Sequence, residues 1–149
     1  MDKTMEPGQG MSGLEQLQSL MASGRMPGMG SALDFTLVDI AVGRAVFEGT
    51  PGIHVYNPLG TVHGGYAAAL LDSACGCAVH SSLAPGQSYT TLELKISYHK
   101  AMTEATGRVR AEGTLVSLGR RAAFAQARLT DAGGRLLASA TSTLLVTSS

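Results

Sequence analysis

Asp72 is the side chain in this sequence that most needs a chemical explanation. It falls inside the run Tyr66-Ala-Ala-Ala-Leu-Leu-Asp, although aspartate is a poor residue for a helix interior. On a helix its same-face neighbours are Ala68, Ala69, Cys75 and Gly76, none of which pairs with a carboxylate. An unpaired charge is costly to bury. Asp72 is therefore either a solvated helix position or a carboxylate with a catalytic task. Just upstream, His63-Gly64-Gly65 stands where the helix should begin. A helix N-terminus offers unbonded N–H groups and the positive end of the dipole. Glycines let a ligand come close to that backbone, so the site suits a polarised carbonyl or an oxyanion. Without context, His-Gly-Gly is also an ordinary loop-to-helix turn. Gly64 and Asp72 are eight residues apart, about 12 Å along a helix axis. One carbonyl cannot touch both. If they act together, Asp72 comes from a second copy of the helix, antiparallel across a two-fold axis.

These groups need elements to hold them. The stretch from His63 to about Leu83 has no proline or β-branched residue before Val79 and reads as one long helix. It is apolar or small on nearly every face, so it should be buried, and Pro85-Gly86 should end it. Asp34 to Glu48 reads as a hairpin turning at Gly43. Thr50 to Gly60, with Pro51, Gly52, Pro58 and Gly60, is a loop. Beyond Gly86 the period changes to two. Strands are expected over Thr91–Tyr98, Arg108–Val116, Ala122–Thr130 and Leu136–Val146, with turns at Leu118-Gly119 and Asp131-Ala132-Gly133-Gly134. In the first of these, Leu92, Leu94, Ile96 and Tyr98 share one face and Thr91 shares the other with Glu93 and Lys95. Two strands, a buried helix and four strands define an α+β layer, an antiparallel sheet curling about the helix. Residues 1–31, rich in Gly, Met and Ser, form a separate N-terminal segment. Ser12-Gly13-Leu14-Glu15 has the form of a capping box, followed by Leu14, Leu17 and Met21 at helical spacing and a terminating Gly24. The main domain is expected over 32–149.

The 149 residues suit one core. Hydrophobic content is 44% and charged content 15%, with 11 basic and 11 acidic residues. That composition excludes a disordered chain and argues against nucleic acid as a partner. So few charges on a small protein suggest burial against other subunits. No apolar run reaches the roughly 20 residues of a membrane span, and no secretory signal is visible, so the expected compartment is the cytoplasm. Cys75 and Cys77 stand about 200° apart on a helix and have no second ligand pair. They are read as small core residues, and no metal is expected. His54, His80 and His99 show no partner pattern and are read as structural.

The pattern Asn57-Pro58-Leu59-Gly60-Thr61-Val62-His63-Gly64-Gly65, with Asp72 following in a small-residue helix, resembles the hotdog-fold thioesterases. The nearest group is the phenylacetate-degradation (PaaI-like) and 4-hydroxybenzoyl-CoA type. The resemblance runs from roughly Leu33 to Val146. It implies a long central helix wrapped by a curved antiparallel sheet of five to six strands, paired into a homodimer and often a dimer of dimers. It implies an acyl-CoA substrate, with coenzyme A as part of that substrate and no cofactor. By position, Gly64 matches the residue whose N–H polarises the thioester carbonyl. Asp72 matches the acid that acts as nucleophile or general base and is given across the dimer, and Asn57 a polar residue placing the thioester or the water. His63 orients the loop or bonds near the reacting centre, and Thr91 matches a hydroxyl that holds the water. Gly65 and Tyr66 are expected beside the acyl group. Lys100, Arg120 and Arg121 lie where relatives meet the polyanionic coenzyme. Two other functions fit the same fold: a non-catalytic acyl-CoA sensor, and a hydratase, which usually pairs Asp and His closer together than His63 and Asp72. Neither the acyl group nor the pathway is legible.

Overall fold

The structure is a computed structural model that describes residues 10–148. The first nine residues of the N-terminal segment, and Ser149, lie outside the described residues. Helix α1 spans Gly13–Ser23 and α2 Met29–Leu33. Strands β1 (Phe35–Ala41) and β2 (Arg44–Gly49) precede the long helix α3 (Gly64–His80). Then come β3 (Gln87–Tyr98), β4 (Val109–Leu118), β5 (Ala122–Asp131) and β6 (Leu136–Ser148).

The capping box at the start of α1 is formed on both sides: the Ser12 side chain accepts from the Glu15 N–H, and the Glu15 carboxylate accepts from the Ser12 N–H. Gly24 closes the helix in the left-handed region at φ 67°. The face that α1 buries is Gly13, Leu17 and Leu20, displaced from the expected Leu14–Leu17–Met21 line. Gly13 decides this. It lies so close to the end of α3 that a Cβ would run into the His80 carbonyl, and its N–H donates to the Leu83 carbonyl at 3.0 Å. The one-turn helix α2 was not anticipated.

The six strands form one antiparallel sheet in the order β1-β2-β4-β5-β6-β3. Sequence neighbours pair throughout except at β3, which crosses over to the far edge beside β6. The inner face carries small residues: Ala111 and Gly113 on β4, Ala123, Ala125 and Ala127 on β5, Ala138 and Ala140 on β6. This row leaves room for α3 to lie in the hollow of the sheet. At Gly113 a Cβ would meet the Ala74 backbone. Ten of the 17 residues of α3 are buried, Leu70 and Leu71 completely, which at about 2 kcal/mol for each leucine makes this helix the main anchor of the core. The rest, including Gly65, Ala68, Ala69, Asp72 and Ser73, form a narrower stripe that stays partly or fully open. The helix stops at His80, ahead of Pro85: the Ser81 hydroxyl donates back to the Ala78 carbonyl and accepts from the Gly43 N–H. Cys75 and Cys77 are free and buried. Burial first, then the Asp72 charge, pushes both thiols up to about 12.

Candidate active site

The loop before α3 is stiffened by Asn57. Its side-chain oxygen accepts from the Leu59 and Thr61 N–H groups at 2.9 and 3.2 Å, and its Nδ2 donates to the Thr61 hydroxyl at 3.0 Å. Short Asx turns of this kind compete well with regular structure. The Asn57 amide is thus largely spent inside its own loop. Two further bonds tie the loop end down: Val62 N–H to the Met102 carbonyl and His63 N–H to the Val55 carbonyl, at 2.9 and 2.8 Å.

His63 is the N-cap of α3. Its Nδ1 accepts from the Gly65 N–H at 2.7 Å, so a neutral ring carries its proton on Nε2. The Tyr66 N–H donates to the His63 carbonyl at 3.0 Å. The Gly64 N–H, between them, has no hydrogen-bond partner among the described residues. It belongs to the lining of a cavity of about 510 Å³, together with Val62, His63, Gly65, Ala67, Tyr98, His99, Lys100, Ala101 and Met102. An unpartnered N–H at the positive end of a 17-residue helix, on a residue that lines a cavity, can donate to a developing negative charge.

Asp72 lies two turns further on, on the open stripe. The residue that holds it comes from another element: the Thr91 hydroxyl donates to Asp72 Oδ1 at 3.0 Å. Simple alternation puts Thr91 on the wrong side of its strand, and the structure corrects this. A β-bulge between Thr91 and Glu93 leaves Leu92 without a partner on β6, 58% exposed. Bulges re-aim side chains in this way. Before it, Tyr89 and Thr91 are the more sheltered residues; after it, Leu94 and Ile96 are. Leu92, expected with Leu94 and Ile96, is the residue left out.

The remaining site candidates divide. Gly64, His63, Gly65 and Lys100 meet at the cavity. Tyr66, expected at its wall, turns into the core instead, 2% exposed, because it shares a helix face with Leu70. Its hydroxyl is buried without a hydrogen-bond partner among the described residues, and burial, then the Asp34 charge, pushes it up to about 12. Arg120 and Arg121 are exposed in the β4–β5 turn and do not line the cavity of their own chain. Sequence reasoning missed Tyr98 and His99 as cavity residues. Alternation did place Tyr98 on the helix side, but nothing in it shows that the tyrosine hydroxyl donates to the Gly64 carbonyl at 2.8 Å. His99 Nε2 is 2.8 Å from the Ser139 hydroxyl. Among the described residues no group of three or more His, Cys, Asp and Glu side chains is arranged to hold a metal, and no helix is long and apolar enough to cross a membrane.

A curled antiparallel sheet around one long helix is the hotdog arrangement. The thioesterase superfamily model matches residues 59–138, more than half of the chain, and the chain belongs to that family; it is a thioester hydrolase. Solved structures agree in fold. A protein from Thermus thermophilus is 31% identical with a TM-score of 0.72, over 81% of this chain and 97% of that one. A phenylacetic acid degradation-related protein from Ralstonia eutropha is 25% identical with a TM-score of 0.76, over 86% and 96%. A hypothetical thioesterase protein from Streptococcus pneumoniae, solved with coenzyme A, is 28% identical with a TM-score of 0.69, over 76% and 89%. No curated protein matches the sequence.

Proposed function

We propose that this protein is an acyl-CoA thioesterase that works as a homodimer and cleaves an aryl or short- to medium-chain acyl-CoA to the free acid and coenzyme A. The observation that carries this reading is the division of labour along α3. Gly64, whose N–H has no hydrogen-bond partner among the described residues, lines the cavity, while the Asp72 carboxylate, steadied by Thr91, sits about 12 Å further along. The two halves of the chemistry are on one helix and too far apart to meet in one site.

A second copy of α3, antiparallel along the stripe of Gly65, Ala68, Ala69, Asp72 and Ser73, brings Asp72 of one subunit to Gly64 of the other. Small side chains allow that close approach. The thioester carbonyl oxygen then rests on the Gly64 N–H, whose help grows as the oxygen becomes negative. Asp72, with Oδ1 held by Thr91, takes a proton from water through its other oxygen. The water attacks the carbonyl carbon, the tetrahedral intermediate collapses, and the coenzyme A thiolate leaves. Asn57 shapes the loop that carries His63 and Gly64. Lys100 supplies a cation at the cavity for the polyanionic coenzyme.

Thiol release from a panel of aryl, short and medium-chain acyl-CoAs tests the activity. Two inactive variants, Asp72→Asn and one blocked at Gly64, test the dimer. Mixed and re-equilibrated, they should regain about a quarter of wild-type sites, because each mixed dimer holds one intact pair; no recovery would sink the shared site. Single turnover in ¹⁸O water assigns the role of Asp72. Label in the released acid alone fits water activation, whereas label in the Asp72 carboxylate overturns it in favour of direct attack.

A further inference from the structure

We propose that Tyr98 is a positioning residue for thioester cleavage, acting through the backbone of Gly64; this rests on the thioesterase reading above. The peptide between Gly64 and Gly65 is gripped from both sides. Its carbonyl accepts from the Tyr98 hydroxyl at 2.8 Å, and its N–H donates to His63 Nδ1 at 2.7 Å. One of these side chains sits directly before α3; the other arrives from the far end of β3, 34 residues after Gly64. The preceding peptide is tied as well, since the His63 carbonyl accepts from the Tyr66 N–H at 3.0 Å.

Two successive glycines are the most freely rotating backbone a chain can offer, and a donor that must meet an oxyanion has to be fixed in advance. With both peptides that flank its α-carbon restrained, Gly64 keeps a defined N–H direction. The Tyr98 ring contributes too. A Cβ on residue 64 would stand 3.0 Å from the Tyr98 hydroxyl oxygen and 3.2 Å from ring Cζ, so the ring lies directly against the glycine. The hydroxyl proton is already given to the Gly64 carbonyl. Tyr98 therefore influences the reaction through the peptide it holds rather than by donating to the substrate.

Tyr98→Phe keeps the ring and removes the clamp. With the best acyl-CoA of the panel, kcat should fall about three- to tenfold, the range one hydrogen bond commands, with KM within about twofold and the melting temperature unchanged. In a double-mutant cycle with His63→Ala the two losses should be non-additive, because both side chains hold one peptide. A wild-type kcat in Tyr98→Phe overturns the proposal, as does a raised KM at constant kcat, or strict additivity. Should the variant melt early, amide exchange below its transition decides. Selectively faster exchange at Gly65 supports the clamp, and equal protection overturns it. A wild type that releases no thiol from any acyl-CoA overturns the thioesterase reading and this proposal together. An active wild type matched by Tyr98→Phe overturns this proposal alone.

Discussion

The two ends of α3 use the same residue types for opposite purposes. At the start, His63 is exposed and caps a backbone N–H, and the glycine next to it lines a cavity. At the end, His80 is half-buried against the ring of Tyr89, its Nε2 is 2.8 Å from the Gln16 side-chain oxygen, and a glycine of α1 packs against its backbone. At one end, side-chain and backbone bonds hold the first turn while the Gly64 N–H has no partner among the described residues. The other is closed by a helix packed so tightly that no side chain fits between. Activity should therefore depend on the first end and stability on the second, and variants at each end test whether the separation is real.

The largest effect should come from Asp72→Asn, which keeps the shape and removes the proposed base. Loss of a general base costs about 10²- to 10⁴-fold, so kcat should fall at least about a hundredfold while the melting temperature holds. Next is Gly64→Ala. Its methyl group meets Tyr98, which must move aside, and displacing an oxyanion donor by a fraction of an ångström should lower kcat about tenfold; unchanged kinetics would count against Gly64 as the donor. Gly13→Ala is the counterpart at the closed end. There the obstacle is backbone, which cannot swing away, and overpacking of about 1–3 kcal/mol should lower the melting temperature by roughly 2–12 °C. Below the transition kcat should stay near wild type. A loss of kcat in folded Gly13→Ala would join the two ends that are separated here.

The smallest effect concerns pH. Burial holds the His80 imidazole below its ordinary value, so the folded state prefers it neutral. The resulting stability is present above the unfolded value of about 6.5 and is lost as pH falls through the lower folded value. Among the groups named around it, Gln16 on α1 and Tyr89 on β3 carry no charge near neutrality. Melting temperatures at pH 7.5 and 5.5 should differ less in His80→Gln than in the wild type. An identical acid loss in both would show that the closed end does not sense this proton.

Apart from the one-turn α2, the order of elements was readable from the sequence because local signals carry it. Apolar periodicity switches from helical to alternating after Gly86, the turns at Gly43 and at Asp131 to Gly134 are marked by glycine, and the capping box at Ser12–Glu15 announces α1. The sheet order was not readable. No local signal says that β3 pairs with β6, about 50 residues away, rather than with β4. The site divides along the same line. Asp72 stands out because its residue type conflicts with its surroundings, and Gly64 because of its place before a helix. A bulge at Leu92 puts Thr91 on the same side as Leu94 and Ile96, Tyr66 turned inward with Leu70, and the Tyr98 bond to Gly64 joins two segments that only the finished sheet brings together. The hydrogen bonds of Asn57 are local, yet its residue type alone does not say whether the amide serves the loop or a ligand.

The bulge in β3 has a consequence for which mutations the chain tolerates. Leu92 is a supernumerary residue: with it removed, Thr91 and Glu93 fall into plain alternation opposite Leu144 and Thr143, and Thr91 still points toward Asp72. A one-residue deletion, ordinarily the most damaging change a strand can suffer, is here the change that leaves both the hydrophobic face and the Thr91–Asp72 contact in phase. Inserting a residue between Thr91 and Leu92 lacks that protection. This edge of the sheet carries a length tolerance of one residue in one direction, stored as a leucine without a partner.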